Sequence, residues 1–120
     1  MQLGTFSVSL TVTNLEVSID FYKKLGFKKF TGGKDWVIMK HGNATIGLFQ
    51  AVFEKNILTF NPGWTKNATP LRKFTDIRTI EKSLIRKGIS LMKGTTTKKG
   101  PDSITFEDPD GNVILIDQHV

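Results

Sequence analysis

Ile104–His119 reads ITFEDPDGNVILIDQH, and its two short apolar runs around Asp108-Pro109-Asp110-Gly111 decide the fold. Pro109 suits the second position of a type I turn because its ring fixes φ near the value required, and Gly111 can take positive φ to close a hairpin. The run Val113-Ile114-Leu115-Ile116 is rich in β-branched residues and too short for a typical helix. The stretch therefore predicts a strand, a tight turn and a buried strand.

Working outward, an earlier stretch repeats the pattern. Trp36–Lys40 and Thr45–Gln50 read as strands joined by the turn sequence His41-Gly42-Asn43. Ahead of them Phe6–Val12 alternates, with Phe6, Val8, Leu10 and Val12 on one face and Ser7, Ser9 and Thr11 on the other. Asn14 suits a helix N-cap and Glu16 its first turn. Leu15, Ile19, Tyr22 and Leu25 give an apolar face, and Gly26 is a natural stop. Phe27–Phe30 starts a strand that Gly32-Gly33 breaks, so the first half reads βαβββ. In the second half Thr69–Phe74 reads weakly as a strand. Asp76 reads as a cap, Ile77, Ile80 and Leu84 as a helix face, Gly88 as its stop, and Ile89–Met92 as a strand. Gly94–Ser103 is polar and predicts a mobile loop before the closing hairpin. The second half is βαβββ again, and the aromatic stretch 51–68 between them reads as irregular.

The repeat is numerical. Asn14 and Asp76 stand 62 positions apart, as do Gly26 and Gly88, and Leu15 and Ile77. The hairpins repeat at 67, pairing Val37 with Ile104, Ile46 with Val113 and Leu48 with Leu115. The matched order of cap, stop and hairpin favours duplication over a chance alignment of amphipathic stretches. The expectation is an α+β fold in one domain over 1–120: module 1 about 1–50, the irregular segment 51–68, and module 2 about 69–120.

A chain of 120 residues supports one domain with a real core, and 38% apolar residues with nine Phe is ordinary for a globular protein. No apolar run is long enough for a transmembrane helix. MQLGTFSVSL lacks the pattern of a secretory signal, so the default compartment is the cytoplasm and no membrane partner is expected. The absence of Cys excludes disulfides, thiolate metal sites and a cysteine nucleophile. The net charge is +6. It comes in scattered pairs such as Lys23-Lys24, Lys28-Lys29 and Arg72-Lys73, the pattern of a solvated surface and not of a nucleic-acid footprint. No Gly-rich phosphate loop, GxSxG or paired zinc-binding His motif occurs.

With both halves read, the chain resembles the glyoxalase / bleomycin-resistance / extradiol dioxygenase family, the vicinal oxygen chelate superfamily. The resemblance is carried by SLTVTNLEVSIDFYKKLGF, Ser9–Phe27, and by FEDPDGNVILI, Phe106–Ile116. It implies two tandem βαβββ modules whose sheets form a curved half-barrel cleft, and a homodimer, which many members form. Catalytic members hold one divalent metal with His, Glu or Gln from four strands. Carried onto this chain, those positions fall on Ser7, Leu48, Thr69 and Leu115. Two hydroxyls and two leucines cannot hold zinc, nickel or iron, so no metal and no cofactor are expected.

Several side chains are candidates for a site. Asp117 and His119 share a strand face with Leu115 and could ligate a metal or act as acid and base; a His so near the chain end is also often simply exposed. His41 sits in a turn and is expected to face solvent. Gln50, with Ser7 and Ser9, could offer neutral hydrogen bonds to a ligand, or these groups could satisfy one another. Phe53, Phe60 and Trp64 could wall the cleft, anchor a dimer or pack under a loop. Arg72 and Lys73 could attract an anion.

The resulting expectation is a metal-independent module that binds a small, partly apolar or anionic molecule. Its ligand-binding residues would be Ser7, Ser9, Leu48, Gln50, Phe60, Trp64, Thr69, Leu115 and Asp117. The alternative is a lyase or dioxygenase whose metal has moved to Asp117, His119 and Glu54. A basic nucleic-acid-binding domain is a third, weaker reading.

Overall fold

The computed structural model describes Met1–Val120. Its elements run β1 (Thr5–Val12), α1 (Leu15–Lys24), β2 (Lys28–Gly32), β3 (Trp36–His41), β4 (Ala44–Gln50), β5 (Ile57–Asn61), α2 (Ile77–Arg86), β6 (Asp102–Glu107) and β7 (Val113–Gln118). The fold is α+β, and the chain divides into two compact units. One is Ser7–Ile57; the other is Met1–Phe6 with Leu58–Val120.

In the unit Ser7–Ile57 the strand order is β2-β3-β4-β1. β1 runs parallel to β4, and the two hairpin partners are antiparallel. Asn14 caps α1 as expected, its side chain accepting from Val17 N at 3.2 Å. Gly26 ends the turn after the helix at φ +100°, which a side chain would resist. Leu15 and Ile19 on α1 pack with Val37, Met39 and Leu48, and Leu10, Val12 and Ile46 join them. Each side chain of this size removed from water contributes about 1.5–3 kcal/mol.

The other unit orders its strands β5-β7-β6. Ile77, Ile80 and Leu84 on α2 pack with Ile104, Phe106 and Ile116. The Asp108–Gly111 turn forms as read: Gly111 takes φ +85°, and its N–H donates to Asp108 O at 3.1 Å. Asp108 Oδ1 also accepts from the Asp110 and Asn112 N–H groups, at 2.9 and 2.8 Å. The Asn112 side chain, foremost among these donors, holds the Asp108 carboxyl below its usual range.

Four expectations need correction. First, the strand that opens the second unit is Ile57–Asn61, inside the stretch read as irregular, and not Thr69–Phe74. Thr69–Phe74 lies in the connection to α2 and makes only an isolated bridge, Trp64 with Pro70. Second, Ile89–Met92 forms no strand of its own. Met92 N donates to Thr105 O at 2.8 Å and Lys93 bridges Thr105, but the pairing stops there.

Third, the hairpin repeat is not a uniform 67. Val37 pairs with Leu48, and its counterpart Ile104 pairs with Ile116. The turn after β6 is one residue longer, so β4 and β7 correspond at 68 and Leu48 matches Ile116, not Leu115. Fourth, Gly94–Ser103 is pinned. Thr95 donates to Glu81 through N at 2.6 Å and Oγ1 at 2.7 Å, and Arg78 Nη2 donates to Gly100 O at 2.8 Å. Asp102, its side chain 4% exposed, accepts from Thr96 N, Thr97 N and Thr97 Oγ1. The Thr97 hydroxyl foremost, against the opposing effect of burial, holds the Asp102 carboxyl far below its ordinary range.

Candidate functional site

Alternation along the strands separates a helix face from an open face in each unit. In Ser7–Ile57, Leu10, Val12, Val37, Met39 and Leu48 belong to the helix face. Ser7, Ser9, Thr11, Trp36, Ile38, Gly47 and Phe49 therefore belong to the other. There Trp36 and Phe49, directly opposite each other on β3 and β4, stack with ring centroids 6.2 Å apart and planes within 11°. Phe53 continues the row, its ring 5.1 Å from Phe49. The Thr11 hydroxyl donates to Phe53 O at 2.9 Å and fixes that residue against β1. Gly47 makes room: a Cβ there would stand 2.6 Å from the Phe49 ring and 3.2 Å from Ile38. The result is a row of three aromatic rings beside Ser9 and Thr11.

In the other unit, Ile116 and Gln118 face the helix, so Leu115 and Asp117 lie on the open face. Asp117 is paired across the strands with Ser103. His119 Nε2 lies 3.1 Å from Asp117 Oδ2, and the Trp64 indole stacks on the imidazole at 4.2 Å with planes within 10°. The Asp117 hydrogen bond raises the His119 pKa above its usual value, and burial opposes it. Asn61 Nδ2 donates to Asp117 O at 2.9 Å and ties β5 to this strand. Lys93 Nζ stands 3.1 Å from Ser103 Oγ.

These placements sort the expected ligand-binding residues. Ser7 and Ser9 lie on the open face of their unit, Ser9 buried there at 7% exposure; Leu115 and Asp117 lie on the open face of the other, and Trp64 stacks on His119 beside Asp117. Leu48 does not: it is fully buried under α1. Gln50 follows it, its Oε1 accepting from Leu15 N at 2.7 Å. Leu48 and Gln50 share the helix face because the turn between β3 and β4 is one residue shorter than its counterpart, and a one-residue shift exchanges the faces of a strand. Phe60 packs against the α2 core and on Phe6, 5.0 Å between centroids. Thr69 is exposed and donates through its N–H to Thr65 Oγ1, away from any strand. His41 is exposed, as read.

Trp36 and Phe49, stacked on this open face, are not among the residues that the sequence singles out. Their signal was present in the alternation Trp36, Ile38, Lys40 against Val37 and Met39. No three His, Asp or Glu side chains stand close enough together to hold a metal ion. No helix is long and apolar enough to cross a membrane.

The model of the Glyoxalase/Bleomycin resistance protein/Dioxygenase superfamily matches residues 4–116. Virulence protein STM3117 of Salmonella typhimurium is 29% identical over 116 residues, covering 92% of this chain and 81% of that protein. Among solved structures, a glyoxalase/bleomycin resistance protein/dioxygenase superfamily member from Vibrio splendidus 12B01 aligns with TM-score 0.66 and 14% identity, over 94% of this chain and 97% of that one. A structure described as NAD-dependent benzaldehyde dehydrogenase from Legionella pneumophila aligns with TM-score 0.72 and 17% identity, over 96% of this chain and 99% of that one. At these identities the two structures speak to the fold alone.

Proposed function

The chain belongs to the glyoxalase/bleomycin resistance protein/dioxygenase superfamily, and from that premise we propose that it binds a small, partly apolar molecule without a resident metal. One observation carries the reading: the row Trp36, Phe49 and Phe53 on a sheet face that no helix of its unit covers. Such a row offers the apolar body of a ligand a flat wall, and the half-buried Thr11 hydroxyl oxygen beside it can still accept a hydrogen bond that orients the ligand. The excess of Lys and Arg favours an anionic group on that molecule. The donor chemistry supports the metal-free part. Ser7 and Leu115 are not ligands for a first-row ion, and Asp117 and His119 are two donors already bonded to each other. The family's dimer is part of the same proposal, read by sedimentation velocity.

The test is calorimetric titration with a panel of small aromatic carboxylates, alongside elemental analysis of protein purified without chelator. Saturable binding that Trp36→Ala abolishes, with no bound metal, supports the reading. One equivalent of tightly held zinc, nickel, manganese or iron, lost in Asp117→Asn or His119→Ala, would replace it with the metal-dependent enzyme. The Asp117–His119 pair is the observation that favours that second reading.

A further inference from the structure

β2 is the outermost strand of its unit, and all five of its residues, Lys28–Gly32, are exposed. Its outer edge therefore presents backbone N–H and C=O groups without a neighbouring strand, a template for one more. The charge beside that edge is of one sign. Lys28 pairs across the sheet with Lys40, a like-charge contact that costs stability, and Lys29 follows. Lys23 and Lys24 close α1 nearby. Lys23, Lys28 and Lys29 line a shallow concavity with Gly26 and Phe27. No carboxylate pairs with Lys23, Lys24, Lys28 or Lys29. Phe30 sits at the bulge where the β2–β3 register shifts, 44% exposed, with Lys40 Nζ 4.3 Å over its ring.

We propose that the β2 edge is a docking site for an extended acidic segment of a partner protein, which adds as a strand beside Lys28–Gly32. Two features choose that occupant. A second copy of this chain would bring its own lysines to the same edge, and the repulsion that keeps exposed edges from self-pairing acts against it. A segment carrying Asp or Glu on both of its faces meets Lys28 on one face of the sheet and Lys29 on the other with opposite charge while its backbone completes the ladder. Phe30 offers such a segment an apolar contact at the bulge.

The probe is a fluorescein-labelled peptide of about eight residues built of Glu-Glu-Val-Val repeats, which places glutamate on both faces of an added strand, read by anisotropy, with hydrogen exchange read on the same complex. Binding should weaken about tenfold in Lys28→Glu/Lys29→Glu, a surface variant that leaves both cores intact, and should weaken as salt rises. The amides of Lys28–Gly32 should become protected in the complex. A lysine-for-glutamate version of the peptide should not bind. Binding without protection of the β2 amides, or equal binding of a duplex DNA of matched charge, would overturn strand addition in favour of a general polyanion surface. Absence of binding at low salt would overturn the proposal outright.

Discussion

Gln118 Oε1 accepts the N–H of Ile77, the first residue of α2, at 2.8 Å, just as Gln50 Oε1 accepts that of Leu15 at 2.7 Å. A helix leaves its first N–H groups without partners, and each unit supplies one from the end of its last strand. Gln118 also donates through Nε2 to Gly100 O, Val120 O and Asp76 Oδ2, at 3.1, 3.1 and 3.3 Å. It thereby ties strand, helix and loop together while 1% exposed. Gln118→Leu should lower stability by about 1–3 kcal/mol, because it leaves the buried Ile77 N–H without its acceptor. Gln50→Leu, at a half-buried site, should cost less. Urea midpoints at unchanged m-value check both.

Asp102 should give the Gly94–Ser103 loop an acid dependence. Its folded pKa is depressed, so its contribution is complete above the unfolded carboxyl value near 3.9 and falls as pH drops below that value toward the folded one. Asp102→Asn should be less stable at neutral pH and should lose less stability between about pH 4 and pH 2 than the parent. Thermal unfolding at a series of pH values reads the difference. A parallel decline in both proteins would remove Asp102 as the anchor.

Much of the fold was legible because each of its punctuation marks has a local cause. Asn14 and Asp76 cap because their short side chains accept from the first helical turn, and Gly26 and Gly88 stop because positive φ is open to them. What the sequence hid is non-local. Ile57–Asn61 carries no clean alternation, and only its neighbours in the sheet make it a strand. The face of Leu48 depended on a turn one residue shorter than its counterpart, and a one-residue shift exchanges the faces of a strand. Leu115 and Asp117 share the face opposite Ile116, because alternation from the Gly111 turn onward fixes it. The sequence does not single out Trp36 and Phe49, because a core aromatic and an open-face aromatic look alike until the helix is seen to cover the other side.

The stack of Trp64 on His119 should report protonation. Asp117 raises the imidazole pKa, so the folded state favours the cation. That contribution is complete below the unfolded His value near 6.5 and is lost as pH rises through the higher folded one. In a Trp36→Phe background, Trp64 fluorescence should titrate with a midpoint above 6.5. Asp117→Asn should bring the midpoint down. A midpoint unmoved by that substitution would show that the carboxylate does not set it.

Leu48 and Phe49 are neighbours in sequence on opposite faces of β4, and they separate folding from binding. Leu48 is fully buried against Leu15, Ile19, Val37 and Met39. Leu48→Ala should cost about 2–5 kcal/mol, from lost apolar transfer and the cavity left behind. Phe49 is half-buried between the Trp36 and Phe53 rings, over a glycine. Phe49→Ala should cost less stability, because its ring is partly wet already, yet should remove the middle of the aromatic wall. The expected pattern is therefore crossed. Leu48→Ala unfolds at lower urea but binds the aromatic carboxylate unchanged where it is still folded, and Phe49→Ala stays closer to the parent in stability but loses the ligand. If Leu48→Ala weakens binding as much as Phe49→Ala does under fully native conditions, the face assignment behind the site is wrong.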